Sequence, residues 1–282
     1  MRKKRVIILG SRGFISSNIE KELKKINIKV LSFSRRQLDL TNHNNSYALK
    51  RIIKKNDYIL LAAAKAPVKN LDMFIYNLKM LKTISGSIVK EKIKKFVYLS
   101  SDAVYADTKK KISEKSTLAP NSLHGQMHLI RENYLSEIFK EKMCIVRPTL
   151  VFGPDDPHNG YGPNKFIRDI KNKNIINLFG KGEERRDHIF IKDLSYFISK
   201  LITNDFYGDI NLATGQVYSF YNIAKKLVSL NRKNSKIKFV KRNGPMPHLG
   251  LRSFNVSKLK KLFPKHKLNS TLKNIVDNFD RY

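Results

Sequence analysis

Two glycines three residues apart, Gly10 and Gly13, follow a short apolar run and precede a segment with helical spacing. A strand that turns into a helix at such a loop presents backbone N–H groups and a helix N-terminus to a dinucleotide pyrophosphate. Ser16 replaces the third glycine of a Gly-x-x-Gly-x-x-Gly pattern, and its small side chain permits close helix packing. The pattern also fits an ordinary strand-to-helix turn. The predicted cofactor-binding residues of this loop are Gly10, Arg12, Gly13, Phe14 and Ile15.

A hydroxyl and two guanidinium groups follow the second apolar run, at Ser34, Arg35 and Arg36. In dinucleotide-binding folds an acidic residue at this position holds the ribose hydroxyls of the adenosine. Arginine binds a 2′-phosphate through planar, charge-assisted hydrogen bonds, whereas a carboxylate would repel it. The triplet therefore favours NADP(H) over NAD(H). A solvated basic turn is the alternative in so lysine-rich a chain.

The elements that position these residues alternate along the first half of the chain. Runs rich in β-branched and aromatic residues predict strands at 6–9, 29–33, 58–62, 95–99 and 144–147. Apolar residues at helical spacing predict helices at 15–26, 44–54, 73–89 and 122–139. This alternation predicts an α/β fold with a doubly wound parallel Rossmann sheet.

A smaller, mostly C-terminal lobe is predicted where Gly/Pro-rich turns begin, at residues 153–163. We expect the dinucleotide-binding domain to span residues 1–152, with 187–214 returning to it. The substrate-binding lobe then comprises residues 153–186 and 215–282.

The composition is strongly basic, with 56 Lys and Arg against 23 Asp and Glu and a formal net charge of +33. The lysines recur along the whole chain with asparagine and isoleucine, without a nucleic-acid-binding motif, so we expect an anionic substrate and no nucleic-acid partner. No apolar run approaches the ~20 residues of a membrane helix, and the run that follows the basic N-terminus is too short for a signal peptide. A single cysteine, Cys144, has no intramolecular partner. We expect a cytoplasmic protein that contacts no membrane.

A series of short motifs along the chain occurs in the order seen in one enzyme family. The motifs are Asp39-Leu40, Leu61-Ala62-Ala63-Ala64, Asn77, Ser100-Ser101-Asp102-Ala103-Val104-Tyr105, Arg147-Pro148, Val151-Phe152-Gly153-Pro154, Gly180-Lys181-Gly182-Glu183-Glu184-Arg185-Arg186-Asp187, Asp193-Leu194, Asn211-Leu212-Ala213-Thr214-Gly215 and Arg252-Ser253-Phe254-Asn255. Together they resemble the extended short-chain dehydrogenase/reductases, the NAD-dependent epimerase/dehydratase family, of the type that modifies nucleotide sugars. The resemblance covers nearly the whole chain.

The resemblance implies a role for each motif. Ser101 is expected to contact the reacting oxygen, whereas Asn164, Arg186 and Arg252 are expected to bind the substrate, the first two at its nucleotide diphosphate. The implied activity is that of an NADP(H)-dependent nucleotide-sugar reductase or epimerase in polysaccharide biosynthesis, with hydride transfer at a sugar carbonyl or hydroxyl carbon. A homodimer through helices 73–89 and 122–139 is also implied. The residues expected beside the cofactor are Asp39 and Leu40 at the adenine, Ala62, Ala63 and Ala64 at the end of the family's fourth strand, and Asn77 in support.

The catalytic pair departs from the family, because the Tyr-x-x-x-Lys positions read His124-Gly125-Gln126-Met127-His128. Imidazole exchanges protons near neutral pH, so His124 is a candidate general acid or base beside Ser101. His128 is a candidate ribose ligand, either neutral or cationic, but it lacks the permanent charge of a lysine. Asp102 is a second candidate acid, since related reductases and dehydratases often place Asp after the Ser/Thr.

Two alternatives to catalysis by the histidine pair stay open. One is a relative that keeps the nucleotide-sugar or dinucleotide sites and has lost catalysis. The other is a zinc site, since His124, His128 and Glu132 are spaced by four and share one helical face. No cysteine or further motif completes such a site, and we expect no metal.

Overall fold

The structure is a computed structural model that describes residues 4–231 and 233–282. Residues 1–3, part of the N-terminal run considered as a signal peptide and of the predicted first domain, lie outside the described residues. The chain forms two compact units. Unit 1 contains residues 4–106, 116–148 and 194–210, and unit 2 contains 107–115, 149–193 and 211–282. The lobe boundaries stated above remain predictions.

The strands in the described part of the chain follow one another as β1 Arg5–Leu9, β2 Lys29–Phe33, β3 Asp57–Leu61, β4 Ile93–Leu99, β5 Met143–Pro148, β6 Leu150–Phe152, β7 Ile175–Phe179, β8 Arg185–Phe190, β9 Gly208–Leu212, β10 Val217–Ser219, β11 Lys236–Val240 and β12 Leu251–Arg252. The α-helices are α1 Phe14–Lys25, α2 Asn45–Ile52, α3 Leu71–Ser87, α4 Leu123–Phe139, α5 Pro163–Lys173, α6 Ile191–Thr203, α7 Phe220–Leu230, α8 Ser257–Leu262 and α9 Thr271–Asn278. Every predicted strand and helix of the first half is present, with ends that agree to within two residues.

The central sheet has the strand order β2-β1-β3-β4-β5-β9, and its pairs from β2 to β5 are parallel. The predicted doubly wound parallel sheet is therefore confirmed. The strands are added to the sheet in one direction from β1 to β2 and in the opposite direction from β3 onward, since β2 and β3 pair on opposite sides of β1. Ligands bind at the carboxyl ends of strands at such a point. Ala62-Ala63-Ala64 follows β3, the third strand of this chain, and α2 connects β2 to β3.

The core of unit 1 explains why these runs form strands. All five residues of β3 are buried, as expected for a parallel strand covered on both faces. Phe96 of β4 stacks on Phe139 of α4 with ring centroids 4.1 Å apart, which fixes that helix on the sheet. Lys95 is also fully buried, and its Nζ donates to the carbonyl oxygens of Leu201 and Asn204, at 2.7 and 2.5 Å, at the end of α6. Burial lowers the pKa of this lysine to about 8.

Unit 2 contains a small sheet centred on β8. Strand β8 pairs with β10, β12 and β6, and the β8–β12 pair places Arg252 beside Arg186. A separate two-stranded parallel sheet joins β7 and β11. None of the helices in residues 4–231 and 233–282 combines the length and the apolar composition that a membrane crossing needs.

Candidate functional site

The loop after β1 is held in an unusual conformation. Gly10 has φ +99°, and a Cβ at this position would lie 2.6 Å from backbone atoms of Ala63, so only glycine fits. The N–H groups of Gly10 and Ser11 donate to the carbonyl of Phe33 at 2.9 and 3.1 Å, and Ser16 Oγ donates to the carbonyl of Gly10 at 2.6 Å. Ser16 therefore replaces the third glycine with a hydrogen bond that fastens the loop to α1.

The N-terminus of α1 has no side-chain cap, since its N-cap residue is Gly13. N–H groups in the first turn of a helix lack intrahelical acceptors and attract an anion. The first turn of α1 also lacks acidic side chains. The loop and helix therefore suit the pyrophosphate of a dinucleotide.

A cleft of about 480 Å³ opens in unit 1 at the carboxyl ends of β1, β2 and β3. It is lined by most of the predicted cofactor residues, whereas Phe14, Ile15, Asn77 and His128 lie outside its lining. Asn77 instead braces the loop after β3, because its amide accepts from the N–H of Lys65 and donates to the carbonyl of the same residue. The predicted residues that line the cleft are Gly10, Arg12, Gly13, Ser34, Arg35, Arg36, Asp39, Leu40, Ala62, Ala63 and Ala64.

The cleft is electrostatically positive. Its lining holds four cationic side chains, those of Arg12, Arg35, Arg36 and Lys65, and one carboxylate, that of Asp39. Arg35 Nε lies 3.2 Å from Asp39 Oδ2. Burial opposes ionisation of Asp39, but hydrogen bonds from Thr41 and Arg35 outweigh it and lower the pKa. The remaining positive charge favours a ligand with several phosphate groups.

Tyr76 forms an aromatic wall of this cleft, with Arg35 and Lys65 each 5.2 Å from its ring centroid. The hydroxyl of Ser34 is used inside the turn, where it donates to Gln37 Oε1 at 2.8 Å. Ser34 therefore shapes the turn that presents Arg35 and Arg36, and its hydroxyl is already engaged.

The four predicted catalytic residues also lie in unit 1, at the start of α4 and in the segment after β4. Ser122 caps α4 by accepting from the N–H of Gly125 at 3.2 Å. A Cβ on Gly125 would lie 2.1 Å from the carbonyl oxygen of Ala103, so glycine allows α4 to pack on the 3-10 turn Asp102–Val104. Ser101 caps that turn by accepting from the N–H of Ala103 at 3.2 Å. The helix start and the Ser101 segment are thereby brought into direct contact.

The two histidines differ in their surroundings. His124 is half-buried, and its Nδ1 lies 3.5 Å from the N–H of Val68. His128 is buried, and its Nδ1 lies 2.6 Å from the hydroxyl of Tyr98. The two imidazole rings are nearly perpendicular, with centroids 4.7 Å apart. Burial lowers the pKa of both, in His124 against the opposing charge of Asp102, and this favours the uncharged form of each ring.

Glu132, the third residue of the zinc alternative, belongs to a different network. Its carboxylate accepts from Arg147 Nε and Nη2 at 3.0 and 2.8 Å, and from Ser100 Oγ at 2.5 Å. No group of three or more His, Cys, Asp or Glu residues in the described part of the chain is placed to hold a metal ion. Spacing by four puts Glu132 on the same helix face as the histidines, but its oxygens are directed to Arg147.

Unit 2 contains a second basic cluster, around Arg186 and Arg252. Arg186 Nε donates to Glu184 Oε1 at 2.7 Å, and Arg242 Nη1 lies 3.3 Å from the other oxygen of that carboxylate. Arg252 Nη1 lies 3.4 Å from Asp107 Oδ1. Three guanidinium groups thus face two carboxylates, and the excess positive charge suits an anion.

Two further polar residues of unit 2, His248 and Asn164, have defined hydrogen-bond partners. His248 Nδ1 lies 2.5 Å from Asp107 Oδ1, and burial together with the charge of Arg186 lowers its pKa. The amide of Asn164 accepts from the N–H of Gly153 at 3.1 Å and donates to Asp156. Asn164 therefore fixes the turn before α5 in this structure.

Sequence reasoning missed several residues of these sites. Lys65 directly follows the predicted alanine run, and that position was a usable signal. Tyr76 and Tyr98 carry no motif, and Arg131 has the spacing of an ordinary helix residue. Arg242 lies in a basic loop that resembles many others in this chain. Only the fold brings these side chains to the sites.

A comparison with protein-family models identifies the chain. The model described as the NAD dependent epimerase/dehydratase family matches residues 6–213, well over half of the chain. The chain belongs to this family. Among curated members of the epimerase/dehydratase family, a dTDP-D-glucose 4,6-dehydratase of Dictyostelium discoideum is 26% identical over 278 residues, covering 80% of this chain and 62% of the relative.

Solved structures of the epimerase/dehydratase type share the fold. The dTDP-4-dehydrorhamnose reductase of Bacillus anthracis, in complex with NADP, aligns with a TM-score of 0.80 at 21% identity and covers 99% of both chains. The UDP-glucose 4-epimerase of Thermus thermophilus, in complex with NAD, aligns with a TM-score of 0.79 at 19% identity and covers 98% of this chain and 99% of that one. The two complexes hold different dinucleotides, so cofactor preference depends on each chain's own residues.

Proposed function

We propose that this chain is an NADP(H)-dependent nucleotide-sugar reductase or epimerase that acts by hydride transfer at a sugar carbonyl or hydroxyl carbon. The observation that carries the cofactor preference is the charge of the unit 1 cleft, where Arg12, Arg35, Arg36 and Lys65 outnumber Asp39. Asp39 is already paired with Arg35 and bonded to Thr41, so it does not oppose a 2′-phosphate as a free carboxylate would.

The pyrophosphate is proposed to bind at the loop after β1 and at the N-terminus of α1. Gly10 lets the loop pass close to the backbone of Ala63, and the uncapped first turn of α1 supplies N–H groups. Arg35 and Arg36 are proposed to bind the 2′-phosphate, and Lys65, which like Arg35 contacts the ring of Tyr76, adds charge. When bound there, a nicotinamide dinucleotide supplies the hydride donor or acceptor.

His124 and Ser101 are proposed to handle the proton of the reacting oxygen. The uncharged imidazole of His124 accepts a proton when a sugar hydroxyl is oxidised and returns it when a carbonyl is reduced. The nearby carboxylate of Asp102 favours the imidazolium that forms, since its charge raises the pKa of His124. Ser101 is proposed to hold the same oxygen through its hydroxyl.

The substrate is proposed to be a nucleotide sugar whose diphosphate binds the arginine cluster of unit 2. Arg186 and Arg252 are neighbours across β8 and β12, and guanidinium groups bind phosphate oxygens in a bidentate manner. Glu184 and Asp107 orient the cluster without neutralising it. Curated relatives act on dTDP- and UDP-linked sugars, which is the chemistry proposed here.

A second candidate function is binding without catalysis. It is favoured by one observation: His128 is bonded inward to Tyr98. The resemblance assigns the position of the family's phenol to His124, whose side chain is an imidazole. Such a protein would bind NADPH and a nucleotide sugar but show no turnover with any authentic substrate. The two candidates therefore share binding and differ in turnover.

The test of the cofactor proposal is an equilibrium titration with NADPH and NADH. NADPH should bind more tightly, and Arg35→Ala with Arg36→Ala should abolish most of the difference, because each lost charge-assisted hydrogen bond costs about 1.5–3 kcal/mol. The control replaces Arg51 and Lys55 with alanine, which removes the same charge from exposed positions on α2 and after it. Equal affinities in the parent chain, or an equal loss in the control, would contradict the proposal.

A further inference from the structure

Arg131 on α4 is a buried cation without a counter-ion. The residue has no solvent exposure, and no carboxylate lies within ion-pair distance of it among the residues that the structure describes. Nη2 donates to the carbonyl of Ala63 at 3.0 Å, and Nη1 lies 3.5 Å from Asn77 Oδ1. Nε is buried with no hydrogen-bond partner among the described atoms. Burying an unpaired charge costs several kcal/mol, so this arrangement opposes stability.

The guanidinium of Arg131 is coupled to His128 through Tyr98. Its Cζ lies 5.1 Å from the centroid of the Tyr98 ring, in a cation–π contact. The hydroxyl of that buried ring is 2.6 Å from His128 Nδ1 and has no other partner in the described part of the chain. The phenol proton therefore points to Nδ1, and a neutral His128 carries its own proton on Nε2.

The groups that face His128 all favour this neutral form. They are the ring of His124 on the same helix, the phenol of Tyr98 on β4, and the charge of Arg131 one turn further along α4. The carboxylate of Glu132 does not stabilise a cationic His128, because it is bonded to Arg147 and Ser100.

We propose that Arg131 is a positioning residue that supplies a permanent positive charge beside Tyr98 and the two histidines, while His128, fixed by Tyr98, acts as a neutral N–H donor. A lysine would combine a hydrogen-bond donor and a permanent charge in one group, and here the two properties are divided between two residues. Arg131 reaches the dinucleotide cleft through Ala63, which lines it. The consequence for cofactor binding rests on the proposed function, whereas the state of His128 is a property of the unliganded chain.

The test is ¹⁵N NMR of the histidine ring nitrogens in the full, unliganded chain. His128 should show an unprotonated Nδ1 and a protonated Nε2, unchanged between about pH 5.5 and 8. Tyr98→Phe should abolish this single tautomer. Arg131→Gln, which keeps an amide donor for Ala63, should raise the protonated fraction of His128 at the low end of that range by about tenfold. Arg131→Lys should restore the parent behaviour.

Two results would overturn the proposal: a doubly protonated His128 near pH 7, or a proton on Nδ1. An equal shift in Arg51→Gln, which removes an exposed charge from α2, would show that Arg131 acts only through net charge, and this would also overturn it. If Arg131→Gln does not fold, the parent tautomer and Tyr98→Phe decide the question. NADPH titration of the same samples is a separate test. A parent chain that shows the expected state of His128 but does not bind NADPH would refute the proposed function, not this assignment.

Discussion

Replacing Glu132 with glutamine should destabilise the chain by about 3–5 kcal/mol, the usual cost of breaking a buried ion pair. The carboxylate is 2% exposed, and it accepts two hydrogen bonds from Arg147 and one from Ser100. The variant keeps the shape and removes the charge. Among the described residues, Arg147, whose side chain is 4% exposed, would then retain only Asp209 as a carboxylate partner, and that side chain is 32% exposed. A typical domain is stable by only about 5–15 kcal/mol, so the effect is easily measured.

The assay is urea unfolding followed by circular dichroism, with Asp209→Asn as the matched control. That change removes the partly exposed partner of Arg147, so it should cost about 1 kcal/mol or less. A loss in Glu132→Gln no larger than in Asp209→Asn would refute the account of the network. Added zinc should leave the urea unfolding of the parent chain and of Glu132→Gln unchanged. Zinc stabilisation of the parent that disappears in Glu132→Gln would instead support the metal site considered from the sequence.

Four further predictions concern catalysis, substrate, pH and assembly. His124→Phe should preserve NADPH binding and lower turnover by about 10²-fold or more, as expected when a general acid–base is lost; full turnover with an authentic substrate would exclude His124. Arg186→Ala should weaken nucleotide-sugar binding in calorimetry and leave NADPH binding nearly intact, since the proposed ligands bind different units; loss of both affinities in a folded variant would mean that the sites are misassigned. The pKa of Lys95 is lowered from 10.5 to about 8 by burial, so between these values the unfolded chain binds more protons and the free energy of unfolding should rise with pH. Lys95→Met should lack this part of the rise, and a rise of the same size in that variant would contradict the assignment. The exposed apolar residues Ile130 and Tyr134 on α4 predict a homodimer surface, so changing both to aspartate should halve the mass in sedimentation, whereas Tyr47→Asp on α2 should not; a monomeric parent would exclude this dimer.

The sequence predicted the elements of unit 1 because their periodicities are local. Apolar runs marked β1 to β5, and helical spacing marked α1 to α4. The cleft loop was predicted for the same reason, since Gly10 and Gly13 must stand between a strand and a helix. Residues whose side chains meet only after folding were not predictable in this way.

Tyr98 and Arg131 illustrate that limit. Tyr98 looks like any aromatic residue of a buried strand, and nothing near it in the sequence indicates that its hydroxyl meets a histidine 30 residues later. Arg131 looks like a surface residue of an ordinary helix, yet it has no exposure. The pairing of Glu132 with Arg147 likewise depends on how α4 packs on β5, whereas sequence spacing alone left a metal-ligand role open as an alternative.

The hydrogen bonds that hold the loop after β1 affect the free energy of ligand binding. The N–H groups of Gly10 and Ser11 are bonded to the carbonyl of Phe33, and Ser16 holds the carbonyl of Gly10, so the loop is fixed by bonds within the chain itself. The loop is therefore preorganised. Fixing the backbone of one residue costs about 1–2 kcal/mol in conformational entropy, and here folding has already met that cost before any dinucleotide arrives. The affinity that the loop contributes is thus free of an ordering penalty, which is how a short loop with few side chains can hold a large ligand.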